Sequence, residues 1–126
     1  MMDLKILLCD DSMLIRKKLR NALMEHGYTS VLEAANGEEA VALFSQEQPD
    51  ITFLDIVMPK MDGIQALEEM KRMNPAAYVV IASSVGTQSN LIQALKYGAN
   101  DFLQKPITLD DVLAAIQKMR QERGDR

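Results

Sequence analysis

At 126 residues the chain has the length of one ordinary domain, and a composition that is 48% hydrophobic and 25% charged belongs to a folded globular protein rather than a disordered or fibrous one. The formal charge of -4 argues against direct binding to nucleic acid, whose phosphates call for a basic surface. The lone cysteine, Cys9, lies in the apolar run Ile6-Leu7-Leu8-Cys9 and reads as a small buried hydrophobe, not a redox centre.

The N-terminus lacks the basic region and the apolar length of a signal peptide, and no run approaches the ~20 apolar residues of a membrane span. A cytoplasmic location without a membrane partner is therefore expected. Lys5 to Cys9 reads as a buried strand. Ser12, a good N-cap, opens a helix to His26 whose inward stripe is Ile15, Leu19, Ala22, Leu23 and His26. Gly27 stops it, Thr29 to Ala34 forms a weaker strand, and Asn36-Gly37 turns into a helix over Glu38 to Gln46. After Pro49 and Asp50 comes Ile51 to Leu54, mostly apolar and suited to a strand covered on both faces. Gly63 to Met73 is a third helix with Ile64, Leu67 and Met70 inward, closed by Asn74-Pro75. The strand Tyr78 to Ala82, a helix from about Gln88 to Tyr97 ended by Gly98, the strand Asp101 to Leu103 and a helix from Leu109 to about Gln121 complete the pattern. The charged tail from Glu122 to Arg126 is expected to fray, leaving a core over about 4–121 of a single domain spanning 1–126.

Strands alternating with helices across short links specify an α/β domain with a parallel sheet and right-handed crossovers. In open sheets of this kind ligands bind beyond the carboxyl ends of the strands. The residues delivered there are Asp10 and Asp11 after the first strand, Asp55 at the end of the third, Ser83 and Ser84 after the fourth, and Lys105 and Pro106 after the fifth. Taken singly, Asp11 can cap a helix, Asp55 can close a turn and Lys105 can sit in solvent. Gathered together, three carboxylates repel one another, and keeping them ionised without a counterion costs several kcal/mol as an order of magnitude. The aspartates contribute -3 and Lys105 +1, so one divalent cation neutralises the cluster. Hard oxygen ligands with open positions suit Mg²⁺ together with an incoming phosphate.

The strand followed by Asp10-Asp11, the run Asp55-Ile56-Val57-Met58-Pro59 with Met61-Asp62-Gly63, the Ser83 after the fourth strand, and Asp101-Phe102-Leu103-Gln104-Lys105-Pro106 resemble the receiver domains of bacterial two-component response regulators. The resemblance runs from about Leu4 to Lys118 and extends to the stand-alone, CheY-like chemotaxis regulators. It implies a doubly wound, flavodoxin-like sheet of five parallel strands in the order 2-1-3-4-5 with helices on both faces. It further implies that Asp55 is the phosphoacceptor, and that Asp11, Asp55 and the backbone carbonyl of Val57 ligate Mg²⁺ with Asp10 acting through water. Lys105 would pair with Asp55 and then with the phosphoryl oxygens, Ser83 would donate its hydroxyl to the phosphoryl group, and Phe102 would be the switch aromatic. Pro106 would follow a cis peptide that aims Lys105 into the site. Serine stands where threonine is commoner in the family, and phenylalanine where tyrosine often sits, so any signal through Phe102 is steric.

The implied function is a phosphorylation-activated switch rather than an enzyme, although it would catalyse its own phosphorylation and slow dephosphorylation. Its implied partners are a sensor histidine kinase, an output protein bound at the face made by the fourth helix, fifth strand and fifth helix, and a separate phosphatase. The alternative within the family is that the chain is the receiver of a longer regulator. Two other classes fit less well. A flavodoxin-like electron carrier needs small hydroxyl and glycine residues after the first strand, where this chain has two carboxylates. An aspartate-nucleophile hydrolase needs Asp-x-Asp there. His26 reads as packing, the many methionines as core or an adaptable face, and Arg16-Lys17-Lys18 with Arg20 as a solvated basic face open to a kinase.

Overall fold

The computed structural model describes residues 4–84 and 89–124. In chain order the elements are β1 (Lys5–Cys9), α1 (Met13–Glu25), β2 (Ser30–Ala34), α2 (Gly37–Glu47), β3 (Ile51–Asp55), α3 (Gly63–Met73), β4 (Val79–Ser83), α4 (Asn90–Lys96), β5 (Asp101–Gln104) and α5 (Leu109–Glu122). The strands form one five-stranded sheet in the order β2-β1-β3-β4-β5, every pair parallel. This is the doubly wound, flavodoxin-like arrangement.

Every residue of β3 and β4 is buried, because helices cover both faces of the middle of the sheet. Side chains alternate between those faces along each strand. Leu7, Cys9, Leu54 and Ile81 point to the side covered by Ala40 and Phe44 of α2, Ile64, Leu67 and Met70 of α3, and Ala94 of α4. Ile6, Leu8, Phe53 and Val80 point to the other side, against Leu23 of α1 and Val112, Ile116 and Met119 of α5. Glu33, register partner of Leu8, accordingly reaches α1.

Helix starts are set by side chains that satisfy otherwise unpaired backbone donors. Ser12 caps α1 and Asn36 caps α2, while Asp62 with Gln65 and Thr108 with Asp111 form reciprocal capping boxes on α3 and α5. Glycine is required where backbones meet. A Cβ on Gly63 would collide with the Asp55 carbonyl oxygen, and one on Gly37 with the carbonyl of Met61, so both pin the loop that follows β3.

The fold departs from the pattern-based expectations in several places, and one expected bound falls outside the described residues. The α1 stripe is narrower than expected: Leu19, Ala22 and Leu23 face inward, but Ile15 is 44% exposed and His26 is exposed. Ile15 lines the wall of a cavity of about 690 Å³ between α1 and the link into α5, and His26 is already the C-cap, just before Gly27 turns the chain at φ +94. β4 lies one residue later than Tyr78 to Ala82, because the Ser83 carbonyl still accepts the Lys105 amide at 2.8 Å. The expected start of α4 at Gln88 lies outside the described residues, among which the helix begins at Asn90. Finally, α5 includes Glu122, and Arg123 is held rather than loose, donating to the Ala76 carbonyl at 2.6 Å and lying 5.7 Å over the Tyr78 ring.

Candidate functional site

Three parallel strands end side by side, and each brings an acid or a hydroxyl to the same rim. Asp10 follows β1, Asp55 ends β3 and Ser83 ends β4; all three are buried, whereas Asp11 is exposed at the mouth. One carboxylate oxygen from each of Asp10, Asp11 and Asp55 lies within 4.8 Å of the other two. Lys105, one residue beyond β5, reaches back across the sheet to place Nζ 2.8 Å from Asp55 Oδ2 and 3.4 Å from Asp10 Oδ2. The Lys105-Pro106 peptide is cis.

Backbone donors fix the carboxylates. The Ser12 amide donates to Asp10 Oδ1 at 2.8 Å, and the Val57 amide to Asp55 Oδ1 at 3.3 Å. Burial pushes the Asp55 carboxyl above the usual carboxylate range, against the pull of its hydrogen bond and ion pair with Lys105. Burial also disfavours the Lys105 ammonium, but Asp55 and Asp10 outweigh it and the lysine is held above its ordinary value. The site therefore holds more negative charge than its single lysine compensates. A set of carboxylate oxygens this close, with one ligand at the solvent side, fits a hard divalent cation such as Mg²⁺ that keeps part of its water shell.

The remaining expected residues sit around this centre. Val57 is 58% exposed beside Asp55. Ser83 is 5% exposed and stands at the same strand edge as the last residue of β4. Phe102 is half-buried, in register with Ile81 and packed against the α3 side of the core. Val85, two positions after Ser83 and expected from the family resemblance to border a water's approach to Asp55, lies outside the described residues.

A family model described as the response regulator receiver domain matches residues 6–117. The chain belongs to that family. Among its relatives, the chemotaxis protein CheY of Listeria monocytogenes is 42% identical over 115 residues, covering 91% of this receiver domain and 97% of that protein. CheY of Bacillus subtilis is 41% identical over 114 residues, covering 90% and 95% respectively. Among solved structures, a CheY-like receiver domain protein from Methanospirillum hungatei superposes with a TM-score of 0.88 at 28% identity, over 96% of this chain and 97% of that one. The Borrelia burgdorferi CheX-CheY-BeF3-Mg²⁺ complex superposes with a TM-score of 0.82 at 33% identity, over 91% of this chain and 87% of its counterpart. Receiver domains are signalling switches rather than enzymes in the usual sense, and the acidic cluster here is of the kind at which they bind Mg²⁺.

Two features of the site were not anticipated from the sequence. Arg16 is not part of a solvated face: it donates to the Asp10 carbonyl at 2.6 Å and to Glu33 Oε1 at 3.1 Å. Lys17 and Arg20 converge on the same glutamate, at 3.1 Å and 3.5 Å from Oε2. The one signal in the sequence was a cation in the first turn of a helix that has no acidic residue there, against the preference of the helix dipole.

Proposed function

We propose that this receiver domain accepts a phosphoryl group on Asp55 from the phosphohistidine of a sensor kinase and passes the signal on by changing which protein it binds. The observation that carries the reading is the buried Asp55 carboxylate, paired with Lys105 at 2.8 Å and grouped with the oxygens of Asp10 and Asp11 within 4.8 Å. Asp10, Asp11, Asp55 and the Val57 carbonyl would hold Mg²⁺, which when bound neutralises charge on the phosphoryl oxygens.

The chain's own residues do the rest. A carboxylate oxygen of Asp55 forms a bond to phosphorus as the bond from phosphorus to the donor's imidazole nitrogen breaks, and the electron pair leaves with the imidazole. Catalysis of such a transfer is mostly positioning and electrostatic stabilisation. Lys105, freed from Asp55 as that carboxylate becomes an acyl phosphate, turns to the phosphoryl oxygens, and Ser83 donates its hydroxyl to another of them. The new group brings a charge near -2 and strong acceptors. Movement of Ser83 toward it opens room for Phe102, coupling the site to the face made by α4, β5 and α5, where Ile92 and Leu95 are 66% and 63% exposed.

Likeness to CheY over most of the chain supports a chemotaxis-type kinase and cytoplasmic action, and the Borrelia complex supports a separate protein partner for the loaded form. A receiver within a longer regulator would use the same chemistry. Incubation with acetyl phosphate and Mg²⁺ is expected to add one phosphoryl group by intact mass, and Asp55→Asn or removal of the metal to abolish it. Equal incorporation in Asp55→Asn would refute the assignment.

A further inference from the structure

The turn between β1 and α1 presents two of the three clustered carboxylates, and its own contacts hold it at several points. The Asp10 amide donates to the Ala34 carbonyl at 3.1 Å, Asp10 Oδ1 accepts the Ser12 amide at 2.8 Å, and the Asp10 carbonyl accepts Arg16 Nη1 at 2.6 Å. The last contact ties the backbone of the turn to a side chain of α1. Arg16 is itself anchored, with Nε 3.1 Å from Glu33 Oε1, and the two side chains are only 10% and 13% exposed.

Local preference gives no reason for an arginine here. The first turn of a helix carries partial positive charge from its unpaired amides, and α1 has no acidic residue there to offset a cation. A residue that breaks a local rule while making a buried, charge-assisted, two-ended contact is doing so for a tertiary reason. Both ends of that contact are informative. One is the backbone of a residue in the acidic cluster; the other is a glutamate on the edge strand β2, whose neighbour Ala34 holds the same turn through its carbonyl.

We propose that Arg16 is a positioning residue for the metal site: braced by Glu33, it holds the Asp10 carbonyl and so sets the direction in which Asp10 and Asp11 face Asp55. The guanidinium is suited to this because its planar fork reaches a carboxylate and a carbonyl at once, which a lysine ammonium on a flexible stem does not. The proposal rests on the reading of the acidic cluster as a Mg²⁺ site.

The sign of the effect separates positioning from charge. Arg16 is a cation beside a cation site, so by Coulomb's law alone its removal strengthens Mg²⁺ binding. If it positions the turn, its removal weakens binding, and loss of an outer-shell contact of this kind costs roughly tenfold in metal affinity. The test is calorimetric titration of Mg²⁺ into the unphosphorylated wild type, Arg16→Ala, Arg16→Lys and Lys17→Ala, each checked for folding by circular dichroism. Lys17 shares Glu33 but makes no contact with Asp10, and Lys17→Ala should bind as well as wild type or slightly better. Arg16→Ala should bind about tenfold more weakly and Arg16→Lys should fall between; Arg16→Lys carries the test if Arg16→Ala does not fold. At saturating Mg²⁺ the phosphorylation rate of the arginine variants should recover, because the contact acts on metal occupancy. Wild type that binds no Mg²⁺ would overturn the metal reading and this inference together. Wild type that binds while the arginine variants bind as tightly or more tightly would overturn the inference alone.

Discussion

A water that attacks the acyl phosphate on Asp55 must arrive in line with the bond from oxygen to phosphorus. By the pattern of the receiver family Val57 and Val85, two positions after Asp55 and two after Ser83, would border that approach, and Val57 is 58% exposed. Neither side chain can orient a water by hydrogen bonding, and both would make such a path more apolar, so self-dephosphorylation should be slow. Positioning of a nucleophile can contribute several kcal/mol, and even ~1.4 kcal/mol is tenfold in rate. Val57→Asn combined with Val85→Glu is therefore expected to release phosphate about tenfold faster at fixed Mg²⁺; an unchanged rate would show that these positions do not control it. At this scale legibility follows from where partners lie. Asp10, Asp55 and Lys105 were readable because each sits at a strand end, where the fold class alone implies convergence. Arg16, Gly37 and Gly63 were not, because their roles depend on backbone atoms of Asp10, Met61 and Asp55 whose approach no local pattern encodes. Cys9 is 3% exposed and burial pushes its thiol far up, in keeping with a small hydrophobe.

Between elements, Glu33 is the joint that fastens α1 to the edge strand β2, gathering Arg16, Lys17 and Arg20. Burial alone would raise its carboxyl, but the hydrogen bonds and charges of Lys17 and Arg16 win and hold it below its ordinary value of 4.5. A carboxyl depressed in the folded state contributes stability that is fully present above its unfolded value and is lost as pH falls through the folded one. Glu33→Gln should thus be less stable than wild type at neutral pH, by about 1–2 kcal/mol for the charge-assisted bonds lost. The gap should narrow as the pH falls below about 4. Urea midpoints of both proteins across that range check it, and a gap independent of pH would remove Glu33's charge from the account. The same helix shows what periodicity does and does not say. A 3.6-residue repeat identifies which side chains align, and it placed Leu19, Ala22 and Leu23 correctly, but it carries no information about where the covering helix ends. Ile15 therefore lines an open cavity and His26 lies past the last turn.

At the level of the whole molecule, alternation of strands and helices was enough for a parallel α/β sheet, whereas the order β2-β1-β3-β4-β5 came from resemblance, since crossovers to either side leave the same local pattern. That order matters because it sets β3 at the centre, with Asp10 from one neighbouring strand, Ser83 from the other, and Lys105 from the strand beyond. A switch built this way works by population shift: raising an active state from about 1% to 99% takes roughly 5.5 kcal/mol of preference for the phosphorylated site. One hydroxyl contact from Ser83 would supply only a fraction of that, so on the proposed reading the ammonium of Lys105, paired with Asp55 at 2.8 Å, would turn to the phosphoryl oxygens and carry much of the rest. Lys105→Ala should consequently still take up beryllofluoride, a phosphoryl mimic, because the carboxylates that would hold Mg²⁺ are intact. It should nevertheless convert incompletely. Amide resonances of α4 and β5 followed by NMR during the titration should reach one end point in the wild type and stop at intermediate, averaged positions in the variant. A tenfold loss in the switching equilibrium corresponds to about 1.4 kcal/mol, well within what one charge-assisted contact can contribute. Full conversion of Lys105→Ala at saturating beryllofluoride would mean that the new charge is read elsewhere, through the loop after β4 rather than through the lysine.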